Sequence, residues 1–434
     1  MESPVNRPGP LERIEHPAYS DRLGEYAPIL ARASLAVFLL FLFFGTTLPS
    51  NKTIETINDV ATEDPVKQVV LPSLYLLSFI GLLPKKIQAI DLMKKEKYLG
   101  LFLLWSLFTV AWADYPFLSF KRWIQTAGAV MIFVSAILHI ESEDQAWGYA
   151  RAVLIAYLPL SLLAIFLIPG TVESDSTAWR GFTSQKNTLG QVSLLSLIIW
   201  TGAVIRNGGG KKAFGLLFFG VSAILLVGSQ SITALLTCGI LLMLASVLYA
   251  GKNILCPIAG KIITSILVFS FFASLTVIFF LEPNAISSLF GLFGKDTSFT
   301  GRTNIWSLMI EEIKNHWVFG CGFQGYWSTP RLSLDMLLYD LQWGINTAHQ
   351  GYLDILNETG IIGFFIFLMM MSLYFSNLLR RGKSQYWSWV VIGVLILNFM
   401  ESTLFRADDV CGCLFLFSYL SLYAYPALEE SGVD

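Results

Sequence analysis

A chain of 434 residues that is 54% hydrophobic and only 14% charged, with a formal net charge of −2, excludes an ordinary soluble domain. The near-neutral balance, with no basic patch interleaved with aromatics, gives no footprint for nucleic acid. Five cysteines and four histidines, in no ligand-like spacing, point away from a disulfide framework and from a zinc site.

In chain order, the first 28 residues are polar and proline-containing and read as a cytoplasmic tail rather than a cleaved signal peptide. Apolar runs of the ~17–25 residues that cross ~30 Å of hydrocarbon then recur to the end of the chain. They fall at 29–48, 66–83, 98–113, 122–140, 148–168, 187–205, 213–229, 231–250, 261–281, 358–379, 386–402 and 408–425. The third is short, and only Ser229-Gln230-Ser231 parts the seventh from the eighth. About twelve spans put both termini on one side. Of the 29 lysines and arginines, 18 fall in the segments on that side, which marks it as the cytoplasm. The expected organisation is therefore a tail at 1–28, a membrane domain at 29–425 and a second cytoplasmic tail at 426–434.

The connections on the far side carry the chemistry. The segment 114–122 with its flanks holds Trp112, Tyr115, Lys121, Arg122 and Trp123, and 171–187 holds Glu173, Asp175, Trp179, Arg180, Lys186 and Asn187. Glu173-Ser174-Asp175 has the look of an acidic metal triplet but reads as a solvated loop, and no metal is assigned. Between the ninth and tenth spans, 282–357 is far longer than any other connection, and long ordered loops are usually functional. Within it Ile305, Leu308, Met309, Ile313 and Trp317 form a 3.6-residue stripe, predicting an amphipathic helix over 304–317. A glycine/aromatic turn follows at 319–323, then a second amphipathic stretch over 332–341. The last outer turn, 401–409, holds Glu401, Arg406, Asp408 and Asp409, which are expected to pair among themselves.

Where the long loop meets the tenth span the sequence reads His349-Gln350, then Gly360 and Gly363, an H-Q-x9-G-x-x-G pattern. An imidazole at that boundary exchanges protons near neutral pH beside a substrate whose tail lies in lipid. Alone it is an ordinary interfacial histidine, just as Arg302 alone is a helix-capping or snorkelling cation. Lys121, Arg122 and Lys186 sit at span ends, where such residues also meet lipid phosphate. His139 and His316 read as structural, and Glu358 either orients the site or satisfies a helix start. The tryptophans read mainly as interface anchors.

The H-[NSQ]-x9-G-x-x-[GTY] pattern resembles the signature of the O-antigen ligase and Wzy-type polymerase superfamily, and His349, Gln350, Gly360 and Gly363 satisfy every position. Gly301-Arg302 with Trp306 matches the segment that opens that family's large periplasmic loop. Arg180-Gly181-Phe182 with Asn187 matches an earlier family segment. The stretch from Trp112 and the Lys121-Arg122 pair look most like the ExoQ-like exopolysaccharide branch. One departure is His316-Trp317-Val318-Phe319, where relatives often carry a proline. The resemblance implies an all-α polytopic bundle of the lipid-dependent glycosyltransferase kind, in the bacterial inner membrane, with the loop helices lidding the site. It also implies glycan transfer from an undecaprenyl-diphosphate carrier to an acceptor sugar hydroxyl, either on another lipid-linked unit or on lipid A core. Chain-length regulators and export proteins are further partners it suggests.

The residues fit that chemistry. A diphosphate leaves already charged, so it needs fixed cations rather than a metal or cofactor, and arginine donates to phosphate in pairs. The attacking hydroxyl needs a base, a role worth ~10²–10⁴-fold. His349 is thus expected as general base with Arg302 and Arg180 holding the diphosphate. Lys186, Asn187, Gln350, Trp306, Lys121 and Arg122 are expected to line the substrate. A polymerase is the first reading and an O-antigen ligase the alternative. A transporter fits less well, because the spans carry little charge at their centres and show no internal repeat.

Overall fold

The computed structural model describes residues 17–45, 65–173, 177–254, 298–328, 347–380 and 386–425. Among them the chain forms helices α1 (Pro17–Phe44), α2 (Pro65–Leu82), α3 (Lys86–Lys95), α4 (Lys97–Thr109), α5 (Pro116–His139), α6 (Glu143–Leu167) and α7 (Lys186–Arg206). They continue with α8 (Gly209–Gly228), α9 (Ile232–Ile254), α10 (Ser298–His316), α11 (Gly351–Arg380), α12 (Ser388–Leu397) and α13 (Val410–Ala424). It is an all-α polytopic membrane protein. Among the described residues, eight helices are long and apolar enough to cross a bilayer. Lys97–Trp112, Ser388–Leu397 and Val410–Ala424 are shorter apolar helices, at the places of the third, eleventh and twelfth expected spans. The ninth expected span, the 332–341 stretch, residues 1–16, the tail at 426–434 and the centre of the acidic triplet lie outside the described residues, whereas 17–28, expected as part of a polar tail, already form the start of α1.

Local chemistry sets several helix ends. Pro116 occupies the first turn of α5, where its missing N–H costs nothing, so that helix starts well before residue 122. Lys121 and Arg122 consequently sit on a helix rather than in the connection expected from the sequence. Ser142 caps α6 by accepting from Gln145 N, and Asp409 caps α13 by accepting from Gly412 N, each worth about 1 kcal/mol. α12 stops at Leu397 because Asn398 turns its side chain back on the chain. Its Nδ2 donates to the Val394 carbonyl and to Thr403 Oγ1, and its Oδ1 accepts from Thr403 N and Leu404 N. The expected eleventh span therefore ends in a polar turn.

The core lies where α1, α5, α6, α7, α12 and α13 meet. Trp147 and Trp387 stack there at 4.5 Å, and Phe417 meets Trp147 edge-on at 5.1 Å. Apolar side chains outside this core remain exposed on the helix faces, as lipid contact requires. Described residues of the long loop meet the turns after α4 and α12: Trp112 Nε1 donates to the Gly320 carbonyl at 3.0 Å, and Arg302 Nη1 to that of Met400 at 2.8 Å.

Candidate active site

The helix preceding the tenth expected span begins earlier than the sequence suggests, at Gly351, and is broken at Gly360 (φ 66°, ψ −174°). The break frees backbone carbonyls that an unbroken helix would use, and the glycine/aromatic turn takes them. Cys321 N donates to the Asn357 carbonyl at 2.8 Å, Gly322 N to that of Glu358 at 3.1 Å, and Ile361 N to that of Trp317 at 2.8 Å. Trp105 Nε1 donates to the Thr359 carbonyl at 2.8 Å. The two backbones touch at Gly320 and Gly360: a Cβ on Gly320 would lie 2.5 Å from the Glu358 carbonyl, and one on Gly360 would enter that of Val318. This is what the two glycines of the motif do. Gly360 supplies the positive φ and the close approach, while Gly363 leaves room for Thr359 and Trp105.

The same packing positions His349, just before this helix, at φ 49°. Its Nδ1 lies 3.7 Å from Glu401 Oε2, an ion-pair distance rather than a hydrogen bond. Glu401, 6% exposed, projects from the turn between α12 and α13. Its Oε1 receives Arg302 Nη2 at 3.4 Å, Asn187 Nδ2 at 3.2 Å and Thr233 Oγ1 at 3.3 Å. Arg302 Nη1 also donates to the Met400 carbonyl at 2.8 Å. One carboxylate thus joins α7, α9, α10, the histidine and the last turn. Burial alone would raise the Glu401 carboxyl, but neighbouring His349 and then Arg302, with Thr233 also donating, hold it below the ordinary carboxylate range.

A second buried network lies behind the histidine. Arg406 Nη2 is 3.1 Å from Asp354 Oδ2 and 3.2 Å from Glu358 Oε1. Asp354 Oδ1 also accepts from Trp327 Nε1 at 2.8 Å. The charges of the last turn therefore do not pair among themselves as the sequence suggested. Glu401 faces the histidine, Arg406 faces α11, and Asp409 caps α13.

Of the expected site residues, His349, Arg302 and Asn187 come together at Glu401. Lys186 is turned aside to Glu173, at 3.0 Å. Arg180 donates to the carbonyls of Gly170 and Ser184 and so ties its own loop. Gln350, 2% exposed, caps α11 by accepting from Leu353 N. Trp306 Nε1 donates to the Ala348 carbonyl at 3.0 Å. Arg122 donates to the Gln324 carbonyl, and Gln324 Nε2 to that of Phe405 at 2.9 Å. Lys121 is half-buried beside Arg122 on α5. His139, read as structural, bonds Gly81 through Nε2 at 2.9 Å. The sequence named Glu401 without assigning it to the histidine.

Residues 217–368 match the family described as O-Antigen ligase (Wzy_C), a stretch that includes Thr233, Arg302, His349 and both motif glycines. The chain is also 26% identical over 317 residues to the exopolysaccharide production protein ExoQ of Rhizobium meliloti (strain 1021), covering 69% of this chain and 70% of that one. Both findings support the resemblance read from His349, Gln350, Gly360 and Gly363: the chain is similar to the O-antigen ligase family over 217–368 and to an ExoQ protein over most of its length.

Proposed function

We propose that this protein transfers a glycan from an undecaprenyl-diphosphate carrier to a sugar hydroxyl at the periplasmic face of the bacterial inner membrane, joining repeat units of an exopolysaccharide or O-antigen. Both termini then lie in the cytoplasm, and 282–357 forms the periplasmic loop of the membrane domain. The observation that carries the reading is Glu401, which gathers a histidine, an arginine and an amide at the mouth of a bilayer-crossing bundle.

In this reading the acceptor hydroxyl gives its proton to Nε2 of His349 as its oxygen attacks the anomeric carbon. The bond from that carbon to the diphosphate breaks, and its electron pair leaves on the phosphate oxygen. A single displacement inverts the configuration. Glu401 beside Nδ1 orients the ring and stabilises the imidazolium that forms. The guanidinium of Arg302 faces the leaving diphosphate, since its bonds to Met400 and Glu401 engage two of five N–H donors, and Arg180 serves as the second cation. Lys186, Asn187 and Lys121 contact substrate, while Gln350, Trp306 and Arg122 act through the backbone they hold. Fixed cations carry the charge, so the reaction requires no metal and should survive chelation.

The alternative acceptor is lipid A core, which would make the protein an O-antigen ligase, the description of the family matched over 217–368. Purified protein in liposomes with its host's lipid-linked repeat unit separates the two. A ladder of products from that substrate alone makes it a polymerase. Transfer that begins only when lipid A core is added makes it a ligase, and silence in both arms contradicts the proposal.

A further inference from the structure

His349 is a non-glycine residue held in the left-handed region, a conformation that costs about 1 kcal/mol or more and persists only where the surroundings over-determine it. Ala348, the residue before it, is gripped through both of its backbone groups. Ala348 N lies 3.3 Å from each carboxylate oxygen of Asp354, and the Ala348 carbonyl accepts from Trp306 Nε1 at 3.0 Å. Ala348 itself is fully buried. Held at both groups, Ala348 fixes the peptide that enters His349, and with it the φ of His349 and the direction of its ring.

Asp354 is in turn fixed by its other contacts. Trp327 Nε1 reaches it from the long loop and Arg406 from the last turn, and Arg406 also holds Glu358 on the same helix. On the far side of the histidine, Gln350 N donates to Ser402 Oγ at 2.9 Å, and Gly351 N to the carbonyls of Asn398 and Glu401, each at 2.9 Å. The backbone that carries the imidazole is thus strung between the turn bearing Glu401 and the buried Asp354–Arg406 pair. Neither Asp354 nor Trp306 is needed for proton transfer itself.

We infer that Asp354 and Trp306 are positioning residues that clamp Ala348 by its N–H and its carbonyl and so aim the His349 imidazole at Glu401. The inference rests on the proposed role of His349. Displacing a reacting group by as little as ~1 Å can cost ~10²-fold in rate, so the clamp acts on turnover rather than on substrate affinity.

The test uses the full-length protein in nanodiscs, comparing Asp354→Asn and Trp306→Phe with wild type. The first keeps the side-chain volume and removes the charge, and the second removes the N–H donor together with part of the indole ring. For Asp354→Asn, kcat should fall about 10–100-fold with KM for the lipid-linked glycan within about twofold of wild type. For Trp306→Phe the fall should be smaller, about 3–10-fold. Hydrogen exchange read by mass spectrometry should rise in the peptide spanning 347–353 and stay unchanged in α5 and α13. Wild-type kcat in both variants, or unchanged exchange at 347–353, overturns the clamp. If Asp354→Asn does not assemble in the membrane, Trp306→Phe alone decides. Full activity of a His349→Ala protein would instead overturn the role of the histidine, while the exchange result would still report on the clamp.

Discussion

Glu401 Oε1 lies 3.4 Å from Arg302 Nη2 while its Oε2 lies 3.7 Å from Nδ1 of His349. A cation on α10 and a base just before α11, separated in sequence, are thereby brought to one carboxylate. Replacing Glu401 by Gln keeps the shape and removes the charge. Transfer by the purified variant should fall about 10–100-fold, since imidazolium formation loses its counter-charge. Undiminished turnover would leave Glu401 a purely structural residue.

The same carboxyl should make stability depend on pH. Its folded-state pKa lies below the ordinary value, so the stability it contributes is present above about pH 4.3 and lost as pH falls through its folded pKa. Thermal unfolding in detergent should therefore show wild type more stable than Glu401→Gln at neutral pH. The gap should narrow as pH is lowered below about 4.3. A gap that widens under acid would mean the carboxyl is not held ionised by its neighbours.

Arg302 tests the demand for a planar fork. Lysine at this position keeps the charge but cannot reach the Met400 carbonyl and Glu401 together while presenting further donors to a phosphate. Arg302→Lys should lower kcat by about tenfold or more and should leave expression in the membrane intact. Turnover equal to wild type would argue against bidentate recognition of the diphosphate.

Gly360 should tolerate no side chain. Alanine there meets both a positive φ and the Val318 carbonyl, and the Gly360→Ala protein should lose at least about 1–3 kcal/mol or fail to accumulate. Gly210 in α8 is the internal control, since a Cβ there meets nothing within 4 Å. Gly210→Ala should be neutral or slightly stabilising. Equal unfolding temperatures for the two variants would contradict the account of the helix break.

Much of the architecture was legible because the bilayer makes length and hydropathy nearly sufficient. The boundaries of α2, α7 and α9 follow from apolar runs alone. Two kinds of feature were not. The segment 351–359 reads as loop because Asp354, Asn357 and Glu358 are polar, yet it is helical and buried, since Trp327 and Arg406 meet the two carboxylates and Cys321 Sγ accepts from Asn357 Nδ2. Pairings across the fold were equally hidden. Nothing local distinguishes Glu401, which faces His349, from Asp409, which only caps a helix. His349 and the motif glycines were visible from spacing, whereas the bonds of Arg180 to its own loop and the capping role of Gln350 emerge only from the packed backbone.

The most direct measurement is transfer by purified wild type and His349→Ala proteins, reconstituted side by side with one lipid-linked glycan donor and its acceptor. Product from wild type, with a loss of about 10²-fold or more in the variant at equal membrane incorporation, is the result this account predicts. Equal product from both would remove the histidine from the chemistry and contradict the account at its centre.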